Sequence, residues 1–522
     1  MIKDIAKPGE FQKETIYLLY LFLIFLGVIF IKAAWISDDS YITFRTVDNF
    51  VNGFGLRWNI AERVQAYTHP LWMFLISFFY YFTGEIYYTV TILSLCLSLL
   101  SVYLVGRWLT VNIYSLFIIF SIFVVSKAFV DYSTSGLENP LSYLLLSIFF
   151  MIFFKSPLNS KNLIFLYVIS SLAMFNRMDT ILLYVFPLMY ATYAARKKES
   201  LGIVKILKKV VIGFIPIICW MIFSLIYYGS FFPNTYYAKL NTGVNGKQLI
   251  YQGILYLVDS ITRDTITIVV IGFIFLVTLK SGEWKKMAAA FGIFLYILYI
   301  VKIGGDFMSG RFLSLPLFAA AIILSRTEVK RSTALTLSIL FLLIGCSVRH
   351  PTIFYNVKDS APPKSRTGIV DERGYYFPTT GLITGSRNHR LPNHKKVREG
   401  KKLKEKGIKL YEAYMIGFSG FYAGPHTHIV DRMALADPLL SHLHIDKNRE
   451  WRIGHFRRTI PNGYIKTLET GKNHIENPKI RELYNIIKVI TRDNVFSLKR
   501  LKLIVKFNLG CYRHLTNLSD YR

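Results

Sequence analysis

Two adjacent carboxylates, Asp38 and Asp39, follow directly after the first long apolar segment of the chain. A charged carboxylate costs roughly 2.5 to 3.5 kcal/mol at the centre of a membrane-spanning helix, so the pair belongs at a membrane surface or in a wet cavity. There a carboxylate can take a proton from a hydroxyl group or act as a nucleophile. Capping of the next helix would explain Asp39 alone. We therefore predict Asp38 and Asp39 as catalytic residues.

The chain that must position this pair is strongly apolar. Of its 522 residues, 53% are hydrophobic and 16% aromatic, and the mean hydropathy is +0.37. These values exclude an ordinary soluble enzyme and indicate an all-α polytopic membrane protein. The net charge of +30 must lie in loops and tails, where it can attract anionic lipid or polyprenyl-phosphate head groups. Nucleic acid is not a predicted partner, because no recognition motif accompanies the charge.

Hydropathy predicts about eleven transmembrane helices. The first, at 15–34, is long enough to remain as an anchor, and ten more are predicted at about 86–106, 111–130, 139–154, 162–176, 180–194, 210–228, 264–280, 287–302, 312–325 and 333–347. With these spans, every basic loop lies on the side of Lys3, Lys7 and Lys13, which the positive-inside rule places in the cytoplasm. Counting 69–82 as a span would reverse all of them, so this run is predicted to lie in the membrane interface.

The outer segments carry a different mixture of residues. Segments 131–140, 176–179, 227–240 and 302–311 are rich in acidic, basic, glycine and aromatic residues, a mixture typical of a binding site. We predict a membrane domain at 1–348, with its first outer loop at 35–85, and an extracytoplasmic basic domain at 349–522. This second domain is predicted to be mixed α/β and to begin with a linker around 361–364.

Histidine pairs in the C-terminal region are weak evidence for a metal. His426 and His428, and likewise His442 and His444, are each separated by one residue. No further ligand with zinc spacing accompanies them, so hydrogen-bonding surface histidines are the favoured interpretation. The four cysteines show neither disulfide nor zinc spacing. No metal ligand is predicted.

An ordered set of motifs along most of the chain resembles a known group of proteins. It is similar to bacterial polyprenyl-phosphate-sugar-dependent membrane glycosyltransferases of the GT-C superfamily, nearest to the mycobacterial terminal arabinofuranosyltransferases and to related flagellar motor control and hypothetical Legionella membrane proteins. The matching motifs lie at 38–45, 52–59, 62–72, 135–138, 228–239, 304–312 and 431–438. This chain has Gln65 and Ala66 where that family more often has Glu and Gly, and Ala434 where Gly is common.

The resemblance implies a GT-C fold in the bacterial plasma membrane. It further implies transfer of a monosaccharide, with arabinofuranose suggested, from a polyprenyl-phosphate donor to an envelope glycan or glycolipid on the outer side. An aspartate of the first outer loop would be catalytic. Many transferases of this superfamily are written with a divalent cation, but an aspartate pair has too few ligands to argue for one, so a cation stays open.

Charge developing on the donor phosphate requires cationic groups. The candidates are Arg311, Lys302, Lys239 and Arg177. Residues predicted to bind the sugar or the acceptor are Glu138, Asp306, Tyr67, Glu62 and Asn234. Simpler structural roles stay open for some of them: Glu138 and Asp306 in a buried ion pair, Arg177 paired with Asp179, and Lys302 reaching to the interface.

Two other function classes remain open at this point. A transporter or flippase of lipid-linked substrates would favour charged residues at mid-membrane and a repeated topology in two halves. A non-catalytic scaffold of the envelope or flagellum would tolerate neutralisation of Asp38 and Asp39. The gathering of ionisable residues at helix ends on one face favours the transferase.

Overall fold

The protein is described by a computed structural model that covers residues 13–240, 242–356, 365–385, 390–445 and 451–516. Lys3, Lys7 and the predicted linker at 361–364 lie outside these residues. The described chain is mostly helical and contains several apolar helices, as predicted.

The chain folds into two compact units, each assembled from three segments. The first unit comprises Met1–Ser37, Tyr87–Ile217 and Gly246–Pro392. The second comprises Asp38–Ile86, Ile218–Asn245 and Asn393–Arg522. Asp38 and Asp39 therefore belong to the same unit as most of the C-terminal region. The predicted domain boundary after residue 348 stays a prediction.

Helices cover every segment for which a spanning helix was predicted. They are Lys13–Ala33, Ile86–Leu104, Ile113–Val125, Asn139–Lys155, Ser160–Asn176, Ile181–Glu199, Ile203–Tyr228, Thr265–Ser281, Trp284–Ile303, Ser314–Ser325 and Arg331–Cys346. The first unit also contains helices Lys127–Tyr132, Gly246–Arg263 and Glu372–Thr380 and a π-helical turn at Val105–Leu109. Its 3₁₀ turns are Met178–Thr180, Arg311–Leu313, Thr352–Phe354 and Leu382–Thr384.

Five helices within the described residues are long and apolar enough to cross a membrane. They are Glu14–Ala33, Ile86–Leu109, Met178–Glu199, Ile203–Tyr228 and Trp284–Ile303. A sixth candidate is the pair Gly246–Arg263 and Thr265–Ser281, which is bent by 110°. Four other predicted spans form shorter apolar helices, namely Ile113–Val125, Asn139–Lys155, Arg311–Ser325 and Arg331–Cys346. The total of about eleven spans stays a prediction.

The second unit combines helices with a small parallel sheet. Its helices are Asp38–Val51, Pro70–Thr83, Asn234–Leu240, Lys395–Glu405, Gly417–Ala423, Tyr464–Thr470, Pro478–Arg492, Leu498–Asn508 and Arg513–Thr516, with a 3₁₀ turn at Leu440–His442. Strands Leu410–Ala413 and His428–Asp431 pair in parallel, with Leu410 opposite His428. The helix that follows the carboxylate pair, Asp38–Val51, ends at a turn in which Gly53 has a φ of 83°.

An apolar core holds together the C-terminal part of the second unit. It is built from buried side chains of several of these elements, among them Val430, Leu440, Tyr464, Leu483 and Ile487. Helix Pro478–Arg492 contributes residues 480, 483, 484, 487 and 490, a spacing that places them on one helical face. This packing holds helix Pro478–Arg492 in place, and this helix contributes Ile487 and Ile490 to the lining of the cavity described below.

Candidate active site

Asp38 lies at the start of helix Asp38–Val51 and is held by main-chain amides. Its Oδ2 accepts a hydrogen bond from the N–H of Gly417 at 3.1 Å, and its Oδ1 accepts one from the N–H of Phe418 at 2.8 Å. Both donors belong to the first turn of helix Gly417–Ala423, where N–H groups have no intrahelical acceptor. The two bonds fix the orientation of the carboxylate. The residue is almost completely buried, with 5% of its surface exposed.

The surroundings of Asp38 raise the pKa of its carboxyl group. Burial raises the pKa of Asp38 to about 7, the neighbouring charge of Asp39 adds to the rise, and the two N–H donors and Lys396 oppose it. A carboxyl group that titrates near neutral pH is suited to general acid–base chemistry. Each carboxylate oxygen has two lone pairs, so the two amide bonds leave capacity to accept a substrate proton.

Glycine is required where the backbone of helix Gly417–Ala423 meets Asp38. A Cβ atom added to Gly417 would lie 1.8 Å from the carbonyl oxygen of Asp38. A Cβ atom on Gly420 would lie 3.0 Å from Trp58 and 3.1 Å from Arg45. The Gly-x-x-Gly spacing of Gly417 and Gly420 is the signal that sequence reasoning missed, because it marks a close approach of backbone on one helical face.

Arg45, in helix Asp38–Val51, binds helix Gly417–Ala423 and the segment that follows it. Its guanidinium donates to the carbonyl oxygens of Trp58 at 2.8 Å, Gly420 at 2.6 Å and Thr427 at 2.7 Å. The group also lies over the Trp58 ring, 4.4 Å from its centroid. The arginine of the first motif thus links helix Asp38–Val51 to the segment that carries the Asp38 donors, which makes it a positioning residue.

The basic helix Lys395–Glu405 also influences the pKa of Asp38. Lys396 belongs to helix Lys395–Glu405, and its charge lowers the pKa of Asp38. His394 precedes this helix, and its ring lies 5.3 Å from that of Phe418. Burial lowers the pKa of His394 to about 4, so its imidazole is neutral at physiological pH. Sequence reasoning did not single out either residue, because both are more than 350 positions from Asp38 along the chain.

In the first unit, four of the predicted residues form one cluster. Arg311 donates from Nη2 to both carboxylate oxygens of Glu138 at 3.1 and 3.2 Å. Arg177 donates to Glu138 at 3.0 Å and forms a second ion pair with Asp179 at 2.7 Å. Asp306 lies 3.5 Å from Arg311. The structural alternatives considered for Glu138, Asp306 and Arg177 are therefore all present as contacts.

The remaining cationic candidates are exposed. Lys302 lies in the last turn of helix Trp284–Ile303 in the first unit. Lys239 lies in the last turn of helix Asn234–Leu240 in the second unit. Neither residue belongs to the Glu138 cluster.

The other predicted sugar or acceptor residues lie in the second unit, each in a specific contact. Glu62 accepts a hydrogen bond from Arg492 at 3.0 Å. The hydroxyl groups of Tyr67 and Tyr228 are 2.9 Å apart. Asn234 donates from Nδ2 to three carbonyl oxygens, those of Ala434, Leu435 and Asp437. Asn234 thus binds the last of the sequence motifs directly.

That last motif, 431–438, is a loop held by two buried aspartates. Asp431 accepts main-chain bonds from Met433 and Ala436, and Asp437 accepts bonds from Leu439 and Leu440 and from the Tyr464 hydroxyl. Burial raises the pKa of Asp431 to about 6 and that of Asp437 to about 7. Ala434 has a φ of 62°, a left-handed conformation that glycine adopts most easily.

Three of the motifs line one cavity in the second unit. Its volume is about 580 Å³, and its lining includes Gln65 from motif 62–72, Tyr236 and Tyr237 from motif 228–239, and Pro438 from motif 431–438. Aromatic rings dominate one part of it: Tyr236 stacks on Phe232 with centroids 4.5 Å apart. This volume lies within the range of small-molecule sites.

A buried ionic network in the first unit was not predicted. Lys127 Nζ lies 2.9 Å from Asp131, 3.2 Å from Asp371 and 2.8 Å from the Tyr355 hydroxyl. Arg373 covers the Tyr355 ring at 3.6 Å. Lys127 and Asp131 are four positions apart on one helix, but Asp371 and Tyr355 are more than 200 positions away, so no local pattern reveals the network. Their mutual compensation indicates a structural role.

Within the described residues, no group of three or more His, Cys, Asp or Glu side chains is placed to hold a metal ion. His428 instead lies 3.5 Å from the Asn59 amide nitrogen. The ring of His442 lies between those of Tyr237 and Phe507.

Comparisons with known proteins agree with the motifs. No family model matches the chain. It is 25% identical to the terminal beta-(1->2)-arabinofuranosyltransferase of Mycobacterium tuberculosis, over 83% of this chain and 82% of that protein. It is 27% identical to the Corynebacterium glutamicum protein of the same name, over 55% of this chain and 47% of that protein. The predicted resemblance is confirmed, and with it the assignment to glycosyltransferases.

Solved structures show weaker likeness. The Archaeoglobus fulgidus oligosaccharyltransferase, in complex with Zn and sulfate, has a TM-score of 0.46 and 11% identity over 78% of this chain and 62% of that chain. ArnT from Cupriavidus metallidurans, bound to undecaprenyl phosphate, has a TM-score of 0.47 and 10% identity over 81% of this chain and 87% of that chain.

Proposed function

Because the chain is a membrane glycosyltransferase related to the terminal arabinofuranosyltransferases, we propose that it transfers a monosaccharide, with arabinofuranose as the leading candidate, from a polyprenyl-phosphate donor. The acceptor is a glycan or glycolipid of the bacterial cell envelope, and transfer takes place on the outer side of the plasma membrane. The observation that carries this proposal is Asp38, a buried carboxyl group held by two amides with a pKa of about 7.

Asp38 is the general base of the proposed reaction. Its carboxylate takes the proton of an acceptor hydroxyl as the oxygen forms a bond to the anomeric carbon of the donor sugar. The bond between that carbon and the phosphate oxygen breaks, and polyprenyl phosphate leaves with the bonding electron pair. Asp39, in the same helical turn, raises the proton affinity of Asp38 by its charge.

Cationic groups stabilise the phosphate that leaves. In the first unit we assign this role to Arg311, Arg177 and Lys302, and in the second to Lys239. Glu138 and Asp306 hold Arg311 in a fixed orientation, so that it is ready for the phosphate without reorganisation. A planar guanidinium suits this role, because it can bind two phosphate oxygens at once.

The acceptor binds in the cavity of the second unit. Aromatic faces such as those of Tyr236 and Tyr237 suit the apolar faces of sugar rings, and the cavity of about 580 Å³ accommodates a short glycan segment. Asn234 shapes the cavity by holding the loop at 431–438, and Glu62 and Tyr67 support the segment that contributes Gln65. Convergence of three motifs on this cavity supports the assignment.

The proposed function is tested by transfer with purified protein in proteoliposomes. Labelled decaprenyl-phosphoryl arabinose is supplied with envelope glycan, beside a panel of polyprenyl-phosphate pentoses and hexoses. We expect one donor to give labelled glycan and free polyprenyl phosphate in equal amounts. Failure of every lipid-linked sugar both to react and to bind would overturn the proposed function.

A further inference from the structure

Helix Leu498–Asn508 and its flanks expose an unusual combination of side chains. Phe496 is 75% exposed, Leu498 75%, Val505 57% and Leu509 74%. Leu498, Val505 and Leu509 are spaced by seven and four positions, which places them on one face of a helix. Exposed Lys499, Lys502 and Lys506 form a neighbouring stripe by the same reasoning.

The opposite face of this helix is packed into the protein. Arg500 and Ile504 are buried, and Leu501, Leu503 and Phe507 pack against the apolar core of the second unit. The exposed apolar side chains are therefore additional to the ones that hold the helix in place. Large exposed apolar groups beside lysines are the pattern of a helix that lies in a membrane interface.

Arg500 ties this helix to the end of a candidate membrane span. Its Nη1 donates to the carbonyl oxygen of Ile226 at 2.7 Å, and its Nη2 donates to that of Tyr227 at 2.8 Å. Asn508 adds a bond to the carbonyl oxygen of Gly229 at 2.9 Å. These acceptors belong to the last turn of helix Ile203–Tyr228 and to the residue that follows it.

The end of helix Ile203–Tyr228 is where a bilayer surface is expected. After Lys209 this helix continues to Tyr228, a length of roughly 28 Å at about 1.5 Å per residue, close to the hydrocarbon thickness of about 30 Å. Its last residue, Tyr228, is buried against Tyr67, but the preceding Tyr227 is partly exposed, and tyrosines are enriched at membrane interfaces. A helix clamped to this end is held at the level of the lipid head groups.

We infer that residues 496–509 form an interfacial membrane anchor, in which Phe496, Leu498, Val505 and Leu509 enter the acyl boundary of a leaflet and Lys499, Lys502 and Lys506 bind anionic head groups. The occupant of this surface is thus an anionic lipid bilayer. This inference does not depend on the transferred sugar. It assigns a membrane contact to a C-terminal region in which no span was predicted.

Site-directed nitroxide labels in the full-length protein test the anchor. The four native cysteines are replaced by serine, the protein is placed in nanodiscs containing phosphatidylglycerol, and single labels are introduced by Leu498→Cys and Val505→Cys. We expect both labels to collide with dissolved oxygen, which concentrates in lipid, and to be shielded from water-soluble nickel chelate. Glu469→Cys, at an exposed position of helix Tyr464–Thr470 in the same unit, is the matched control and should show the reverse.

Each other outcome overturns a defined part of the inference. Labels at 498 and 505 that behave like the label at 469 would show that the helix faces water. Shielding from both reagents, together with spin–spin broadening, would assign the surface to a second copy of the chain. The triple change Lys499→Gln, Lys502→Gln and Lys506→Gln should reduce immersion in phosphatidylglycerol nanodiscs and leave it unchanged in phosphatidylcholine; equal behaviour in both lipids would overturn the head-group contact.

Discussion

Asp38 and Glu138 are both buried carboxylates, but the protein compensates their burial in different ways. Asp38 is held by two main-chain amides and has another carboxylate, Asp39, as its sequence neighbour. Glu138 faces the guanidinium groups of Arg311 and Arg177. The amide donors favour the charged form of Asp38, but burial and the charge of Asp39 outweigh them. At Glu138 the compensating groups are two cations, which favour the charged form of a carboxylate more strongly.

This difference indicates which of the two carboxylates can transfer a proton. A group whose pKa lies near 7 can bind and release a proton at physiological pH with little cost. Glu138, between two arginines, is placed to hold their guanidinium groups in position. We therefore propose proton transfer for Asp38 and cation positioning for Glu138, and substitutions of either residue test this proposal.

The largest effect is expected from Asp38→Asn. The amide side chain has nearly the same shape but cannot take a proton, so transfer should fall by roughly 10² to 10⁴-fold, the usual contribution of general base catalysis. The measurement is the initial rate of sugar transfer by protein whose thermal unfolding is unchanged. Asp48→Asn, in the same helix, is the control and should retain activity. A fully active Asp38→Asn variant would remove Asp38 from the chemistry.

Arg311→Ala should have a different signature, because it leaves Glu138 with fewer compensating contacts. Removal of one partner of a buried ion pair typically destabilises a protein by about 3 to 5 kcal/mol. We expect a lower unfolding temperature in detergent and a higher KM for the lipid-phosphate donor.

Arg311→Lys and the double change with Glu138→Gln separate the two effects. Lysine keeps the charge but loses the two-oxygen geometry, so it should recover part of the stability and little of the donor affinity. The double variant removes both charges and should unfold at a higher temperature than Arg311→Ala. Unchanged donor dependence in all three variants would confine Arg311 to a structural role.

Gly417→Ala tests whether the amide contact with Asp38 needs the close approach of the two backbones. The added Cβ would meet the Asp38 carbonyl oxygen at 1.8 Å, so the first turn of helix Gly417–Ala423 must move away and at least one amide bond must lengthen. A misplacement of about 1 Å can cost on the order of 10²-fold in rate. Gly202→Ala, where nothing lies within 4 Å of the added atom, should be silent. Normal transfer by Gly417→Ala would show that the amide contact is dispensable.

The sequence was sufficient for features that depend on neighbouring residues. Long apolar runs predict helices, because a segment in the bilayer must satisfy the hydrogen bonds of its own backbone N–H and C=O groups. Helices occur at every predicted segment. The pair Arg177 and Asp179 is likewise local, two residues apart, and the ion pair considered for it is present.

The contact partners of the candidate site residues could not be predicted from neighbouring positions in the sequence. The donors to Asp38 lie about 380 positions away, and Glu138 lies 173 positions from Arg311. A charged residue looks the same in the sequence whether it binds a substrate or forms an ion pair with a distant side chain. For this reason the sequence identified Arg311 and Glu138 as candidates but did not reveal their mutual contact.

The finest test concerns the pH dependence of transfer, because it separates the two neighbouring aspartates. Asp38 must be deprotonated to act as a base, so activity should rise with pH through the region near its pKa of about 7. Asp39→Asn removes a negative neighbour that raises this pKa. The acid limb of the profile should therefore move to lower pH, with a smaller loss of maximal rate than in Asp38→Asn. An acid limb that stays in place would show that the charge of Asp39 does not act on the group that titrates.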